Sequence, residues 1–230
     1  MIEEIEKIDG FWWPKKDKIC RPYTLNEKSM PAEISSMVPN KRTVIQAGGN
    51  VGYYALEYSK MFKTVYTFEP DYINFMCLVL NVPQENVIKM QACLGDKITP
   101  VDIERNVNSP FTLRDEDGTI EKIEGLNTGG YFVNGPGKIP SLTIDNLNLE
   151  DVDLIHLDTE GYEGPILHGA VNTIMKYKPL IVVEIGHNHG KKYKWGKGQV
   201  RKLLDELGYQ EKTKYSADYV FEWREENNEI

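Results

Sequence analysis

From Thr43 onward the chain switches repeatedly between short apolar runs and segments with helical spacing. That alternation constrains the fold more than any other feature. TVIQA (Thr43 to Ala47) reads as a buried strand, and Val51, Tyr54, Ala55 and Tyr58 then share a helical face, with Asn50 placed to cap that helix. VYTF (Val65 to Phe68) is a second strand ended by Glu69-Pro70. Asp71 suits the N-cap of a helix carrying Ile73, Cys77 and Leu80 on one side. Val87 to Leu94 gives a third strand and Val152 to Leu157 a fourth, followed by a helix opening at Pro165. LIVVEI (Leu180 to Ile185) is nearly continuously apolar, as a strand covered on both faces should be. Val200, Leu203, Leu204 and Leu207 repeat with helical spacing up to Gly208, and YVFEW (Tyr219 to Trp223) is a last strand. Strands separated by helices imply an α/β, doubly wound, mostly parallel sheet, which binds ligands at the carboxyl ends of its strands.

Residues 95–142 interrupt this rhythm with turn-rich tracts (NSP, DEDG, NTGG, NGPG) and short alternating runs, and read as a β-rich insertion. With 230 residues, 40% of them hydrophobic, the chain supports one sizeable core, so residues 1–230 are expected to form a single domain with an N-terminal extension over 1–40. The polar tail EENNEI is expected to fray. A formal net charge of −8 disfavours generic binding to nucleic acid or anionic lipid. Cys20, Cys77 and Cys93 lack metal-ligand spacing and read as small hydrophobes in a reducing compartment. The acidic start MIEEIEKIDG is unlike a signal peptide and no segment is apolar enough to span a membrane, so a cytoplasmic location is expected.

The chemistry begins at QAGGNVG, Gln46 to Gly52, directly after the first strand. Gly48 and Gly49 would let the backbone approach a cofactor, and Gly52 would let the helix pack closely on the strand. Glu69, ending the second strand, can accept both hydroxyls of a ribose. This combination fits an adenosine-containing cofactor and leaves NAD and S-adenosylmethionine (SAM) both open.

The run VIQAGGNVGYYAL…VYTFEPDYINFMCLVLN resembles the FkbM family of SAM-dependent methyltransferases, whose Asp-x-Gly-Ala-Asn-x-Gly loop precedes a Phe-Glu-Pro strand end. SLTIDNL, VDLIHLDTEGYEGPILHGA, PLIVVEIGH, LLDELGY and DYVFEW extend the resemblance from Thr43 to Trp223. It implies a Rossmann-like methyltransferase fold with a seven-stranded sheet and SAM as cofactor, held by Gln46, Gly48, Gly49, Asn50, Gly52 and Glu69, with Asp71 and Asp96 near the adenosine. It also implies that Asp158 and Glu160 face the reacting groups, and that Asn127 to Gly130 of the insertion lie over the site. Two residues depart from the family pattern. Gln46 stands where an Asp is usual and brings no charge to the cationic end of SAM, a role Asp158 could take over. His156 stands where a Lys is usual.

SAM carries an activated methyl group, so the protein has to align an acceptor and, for an alcohol, supply a base. Asp158 and Glu160 are the candidates, with His156 one pleat before Asp158 either a base or a satisfied buried histidine. Glu163 reads as an acid decorating a helix start, and His168 as structural. His187 and His189 could join Asp158 and Glu160 around a divalent metal, as some O-methyltransferases arrange. A bare His-x-His does not define a site, so no metal is assigned. KKYKWGKGQVRK (191–202), the one basic cluster, is either a grip for an anionic substrate or a solvated run, and Phe11, Trp12 and Trp13 read as anchors for the N-terminal segment. The sequence therefore points to SAM-dependent methylation of an oxygen on a small molecule or glycan. Its rivals are a catalytically degenerate binding protein of the same fold and an NAD-dependent oxidoreductase.

Overall fold

The computed structural model describes residues 4–26, 28–105, 108–114, 120–185 and 193–225. It opens with a hairpin of β1 (Ile5–Ile8) and β2 (Phe11–Pro14). Asp9 and Gly10 between them both have positive φ (+52° and +85°), the two-residue turn whose twist matches that of paired strands. Two short helices follow, α1 (Cys20–Asn26) and α2 (Met30–Ser36).

The alternating part comprises β3 (Thr43–Ala47), α3 (Tyr53–Ser59), β4 (Thr64–Phe68), α4 (Tyr72–Asn81), β5 (Val87–Met90) and the short β6 (Cys93–Leu94). Next come β7 (Val101–Glu104), β8 (Asn108–Arg114), β9 (Ile120–Leu126), β10 (Phe132–Pro136) and β11 (Ser141–Leu142), paired as β7 with β10, β8 with β9, and β11 with β6. Alternation then resumes with β12 (Val152–Leu157), α5 (Glu163–His168), α6 (Val171–Tyr177), β13 (Leu180–Glu184), α7 (Lys197–Glu206), β14 (Tyr209–Tyr215) and β15 (Asp218–Trp223).

Seven strands form the central sheet in the order β14-β15-β13-β12-β3-β4-β5. The five from β13 to β5 are parallel, and β15 runs against both of its neighbours. The chain leaves β3 toward β4 and β5, then returns to the other side of β3 as β12. The strand order reverses there, opening a crevice above the ends of β3 and β12. Successive residues point to opposite faces. Ile45, Ile155, Leu157, Ile181 and Val183 pack on one side with residues of α5, α6 and α7, and Val44, Val65, Leu154, Val182 and Val220 on the other with Ile34, Ala55 and Tyr58 of α2 and α3. Fully burying one such side chain contributes about 1.5–3 kcal/mol. Among the described residues no helix is long and apolar enough to cross a membrane.

The structure differs from the sequence reading at several points. Asn50 does not cap α3. Its φ of +46° turns the chain, and the cap position falls to Gly52 at φ +94°. The third strand breaks at Gln91-Ala92 into β5 and β6. The sequence reading contained neither α6 nor β14. The hairpin aromatics do act as anchors: Trp13 is buried beside Cys20, Val51 and Cys77, and the Asn81 side chain bonds both the N–H and the C=O of Trp12 (2.7 and 2.9 Å). All three cysteines are free and buried.

Candidate active site

The loop after β3 is shaped by its glycines. Gly48 has φ +84°, and a Cβ on it would lie 1.8 Å from the carbonyl oxygen of Asp158. No side chain fits there, so the ends of β3 and β12 can touch only through glycine. A Cβ on Gly49 would crowd Leu78 and Thr67, and one on Gly52 would strike Val82 and Leu78 of α4. Gly52 thus serves the packing of one helix on the next, rather than of a helix on a strand. The N–H groups of Gly48 and Gly49 both donate to the Phe68 carbonyl (3.1 and 2.8 Å), pinning the loop to the end of β4.

Two cavities open on either side of this loop and share Gly48, Asn50, Gly129 and Asp158 in their walls. The first lies over β4 and β6, between Phe68, Glu69, Leu94, Ile103, Val133 and Tyr162. Glu69 is its buried acid. One oxygen accepts from the Asn50 N–H (2.6 Å) and the other from the Asp71 N–H (2.8 Å), and the Asn74 side chain adds a third hydrogen bond, which together aim the carboxyl group. Burial outweighs those donors and raises its pKa from the ordinary 4.5 to about 8.

The second cavity lies over β12 and β13, between Asn50, Tyr53, Tyr54, Asp158, Glu160 and Glu184. Carboxylate oxygens of Asp158, Glu160 and Glu184 lie within 4.8 Å of one another. Loss of solvent holds both Asp158 and Glu184 well above the usual carboxylate range, reinforced at Asp158 by the charge of Glu184 and at Glu184 by the charges of Glu160 and Glu163. The hydrogen bond between the pair works the other way at Glu184. The turn that presents Glu160 is built by Glu163. That side chain is buried, and its Oε1 accepts from the Thr159 N–H, the Thr159 hydroxyl and the Gly161 N–H (2.8, 3.0 and 3.1 Å). Glu160 itself sits at φ +56°, a left-handed conformation uncommon for a residue with a side chain. Glu163 is therefore the brace of the turn, a larger part than its sequence position suggested.

Several residues expected at the site stand elsewhere. Gln46 lines neither cavity: buried under the loop, its Oε1 accepts from the Thr67 hydroxyl (2.5 Å) and its Nε2 donates to the Gly48 carbonyl (2.7 Å). Asp71 also lines neither. One oxygen caps α4 through the N–H groups of Ile73 and Asn74, and the other pairs with Arg105 (2.8 Å). Asp96 lies beyond both cavities, 3.9 Å from Lys97. His156 is fully buried beneath the second cavity, with Tyr54 stacked on its ring and the Tyr58 hydroxyl 2.8 Å from Nδ1. It lines neither cavity wall, so a direct catalytic part for it is corrected to one beneath the site. His187 and His189 lie outside the described residues, as do Lys191 and Lys192.

Asn127 and Gly129 close the second cavity, and Thr128 and Gly129 the first. Tyr193 and Trp195, the aromatics of the basic cluster, are used in packing. The Tyr193 hydroxyl donates to the Val133 carbonyl, and the Trp195 ring lies where a Cβ on Gly164 would be. Arg201 pairs with Glu211 (2.8 Å) and Lys202 with Glu206 (3.5 Å). No lysine or arginine among the described residues lines either cavity. Sequence reasoning placed Glu184 among the strand-end residues without giving it a role, and it missed Tyr53 and Tyr54 as cavity-lining residues. An acid at the carboxyl end of an otherwise apolar strand was the available signal for Glu184.

Solved structures with a similar course of chain include the methyltransferase FkbM from Methylobacillus flagellatus KT (15% identity, TM-score 0.48), in which the match covers 87% of this chain and 52% of that one, so this chain spans about half of that relative's length. Others are precorrin-6y C5,15-methyltransferase from Geobacter metallireducens GS-15 (9% identity, 97% and 96% covered, TM-score 0.48) and M. jannaschii TYW2 in complex with AdoMet (14% identity, 96% and 86% covered, TM-score 0.45). No curated protein matches the sequence. The sequence model for the methyltransferase FkbM domain matches residues 46–211, which take in the glycine loop, Glu69, Asp158, Glu160 and Glu184. This chain belongs to the FkbM methyltransferase family.

Proposed function

We propose that the protein transfers the methyl group of SAM to a hydroxyl oxygen on a small molecule or glycan. The observation that carries this reading is the pair of cavities meeting at Gly48 and Asp158 in a member of a methyltransferase family. Adenosine would lie in the first, its ribose donating to the Glu69 carboxylate, and the chain would continue past Gly48 and Asn50 toward Asp158. The acids of the second cavity then face the sulfonium and ammonium charges, in place of the Asp that Gln46 replaces. As the acceptor oxygen bonds to the methyl carbon, the sulfur–carbon bond breaks and the hydroxyl proton passes to Asp158 or Glu160, giving the methyl ether and the demethylated cofactor. Three free buried cysteines fit a reducing, cytoplasmic setting.

The placement of Gln46 supports one second reading, a binding protein of this fold without turnover. Family membership leaves the nicotinamide alternative without support. Calorimetric titration with SAM, its demethylated product and NAD separates the three. Micromolar binding of SAM and product without an NAD signal is the expected result, and silence toward SAM and product would overturn the proposal.

A further inference from the structure

We propose that Asp158, Glu160 and Glu184 bind a divalent metal ion at the floor of the second cavity, with Asp218 as a fourth, buried carboxylate behind them. The three come from the end of β12, the turn after it and the end of β13, yet their oxygens lie within 4.8 Å of one another. A hard divalent cation holds its oxygen ligands at about 2.0–2.6 Å, so two ligand oxygens on one ion lie about 2.8–3.7 Å apart when adjacent and up to about 4–5 Å apart when opposite, a span that the three carboxylates fit.

A second observation comes from the neighbouring strand. Asp218 is the cross-strand partner of Glu184, so the two side chains rise on the same face of the sheet. Asp218 is 5% exposed, and its Oδ1 has no hydrogen-bond partner among the described residues. Nε2 of the fully buried His156 also lacks one, and stands 3.7 Å from that oxygen, beyond hydrogen-bond length. A buried carboxylate oxygen without a donor is costly. One cation held by the neighbouring acids would bring positive charge close to the Asp218 oxygen that has no donor.

An all-oxygen set selects Mg²⁺, Mn²⁺ or Ca²⁺ over the softer metals. The ion would keep open positions toward the cavity, where an acceptor with two neighbouring oxygens, a vicinal diol or a hydroxy acid, could chelate it and have one hydroxyl acidified. That acceptor class rests on the methyl-transfer reading. The metal site stands on the carboxylates alone.

The test is a titration of chelator-treated protein with Mn²⁺, following the free ion by electron paramagnetic resonance, with no SAM or acceptor present. One Mn²⁺ per chain is expected, displaced by excess Mg²⁺ or Ca²⁺. Glu184→Gln and Glu160→Gln should each weaken binding at least tenfold, and Glu85→Gln should leave it unchanged. Absence of stoichiometric binding, or equal affinity in folded Glu160→Gln protein, would overturn the site. Should Glu184→Gln fail to fold, Glu160→Gln on the turn carries the test. Mn²⁺ binding alongside silence toward SAM would retire the methyl-transfer reading and leave the metal site standing, and the opposite pattern would do the reverse.

Discussion

The two cavities share a loop but are built on opposite electrostatic terms. On the Glu69 side one buried acid meets two backbone donors inside apolar and aromatic walls. On the Asp158 side three acids crowd together, and Glu160 and Asn50 both hold left-handed backbone. The first cavity resembles a finished binding surface, rigid and hydrogen-bonded before any ligand arrives. The second stores unfavourable terms that a cationic occupant relieves. Under the proposed function recognition and reaction would be separated in space, with Gly48 at the joint.

Breaking the joint should have the largest effect. Gly48→Ala drives a methyl group into the Asp158 carbonyl and strains a positive φ, so a loss of about 3 kcal/mol of stability is expected, together with loss of detectable SAM binding. Chemical denaturation and calorimetry measure the two. Next, Glu69→Gln should weaken SAM and its demethylated product equally, by about 30- to 100-fold, since charged hydrogen bonds contribute about 1.5–3 kcal/mol. A drop confined to SAM would place Glu69 on the wrong side of the comparison.

Glu69 also predicts a pH dependence. Its folded pKa of about 8 lies above the ordinary 4.5, so the native state keeps a proton that the unfolded chain has lost. Stability from this group is fully present below about 4.5 and is lost as pH rises toward about 8. Ribose hydroxyls require the ionised form, so SAM binding should tighten by up to about tenfold per pH unit between 6 and 8. Glu69→Gln should lower that slope by one proton, as read by calorimetry in buffers of different ionisation enthalpy.

On the reacting side, Glu160→Gly should relax the left-handed backbone and raise stability by up to about 1 kcal/mol, while turnover falls at least a hundredfold. Melting curves and steady-state kinetics would show the opposed signs. A loss of both would mean that Glu160 holds the fold rather than the chemistry. The smallest change is expected at Gln46→Asp, which keeps an acceptor for Thr67 and faces neither cavity. SAM affinity by calorimetry should move less than threefold.

Much of this was legible in the chain. β3, β4, β12 and β13 announce themselves because both of their faces are covered, so apolar residues dominate them, with buried polar exceptions such as Gln46, Thr67 and His156. β14 does not, because Gln210, Glu211 and Lys212 lie on an exposed edge and read as loop. The helix α6 hides behind Gly169-Ala170, which looks like a terminator. Gly169 is needed there because a Cβ would lie 2.1 Å from the Gly95 carbonyl. At the site, Glu69, Asp158 and Glu160 were readable from motifs at strand ends. Asp71 and Gln46 were over-read, since spacing shows that an acid or amide is near a loop but not which way its hydrogen bonds run. Asp218 was unreadable, because its place beside Glu184 depends on a strand pairing between distant segments.

That pairing has a consequence for the order of assembly. β15 follows β14 in the chain but lies between it and β13, so β14 has no edge to join until β15 is in place. The two must dock together as a hairpin onto β13. The Glu69 half, by contrast, takes its acid and its floor from the contiguous stretch β3 to β6, in which β3, β4 and β5 pair in chain order, while its other walls come from later segments. During synthesis the Glu69 cavity, whose last wall residue is Ile166, can form while the segment carrying Asp218 has yet to be made, and the full row of acids is completed only when the last hairpin arrives.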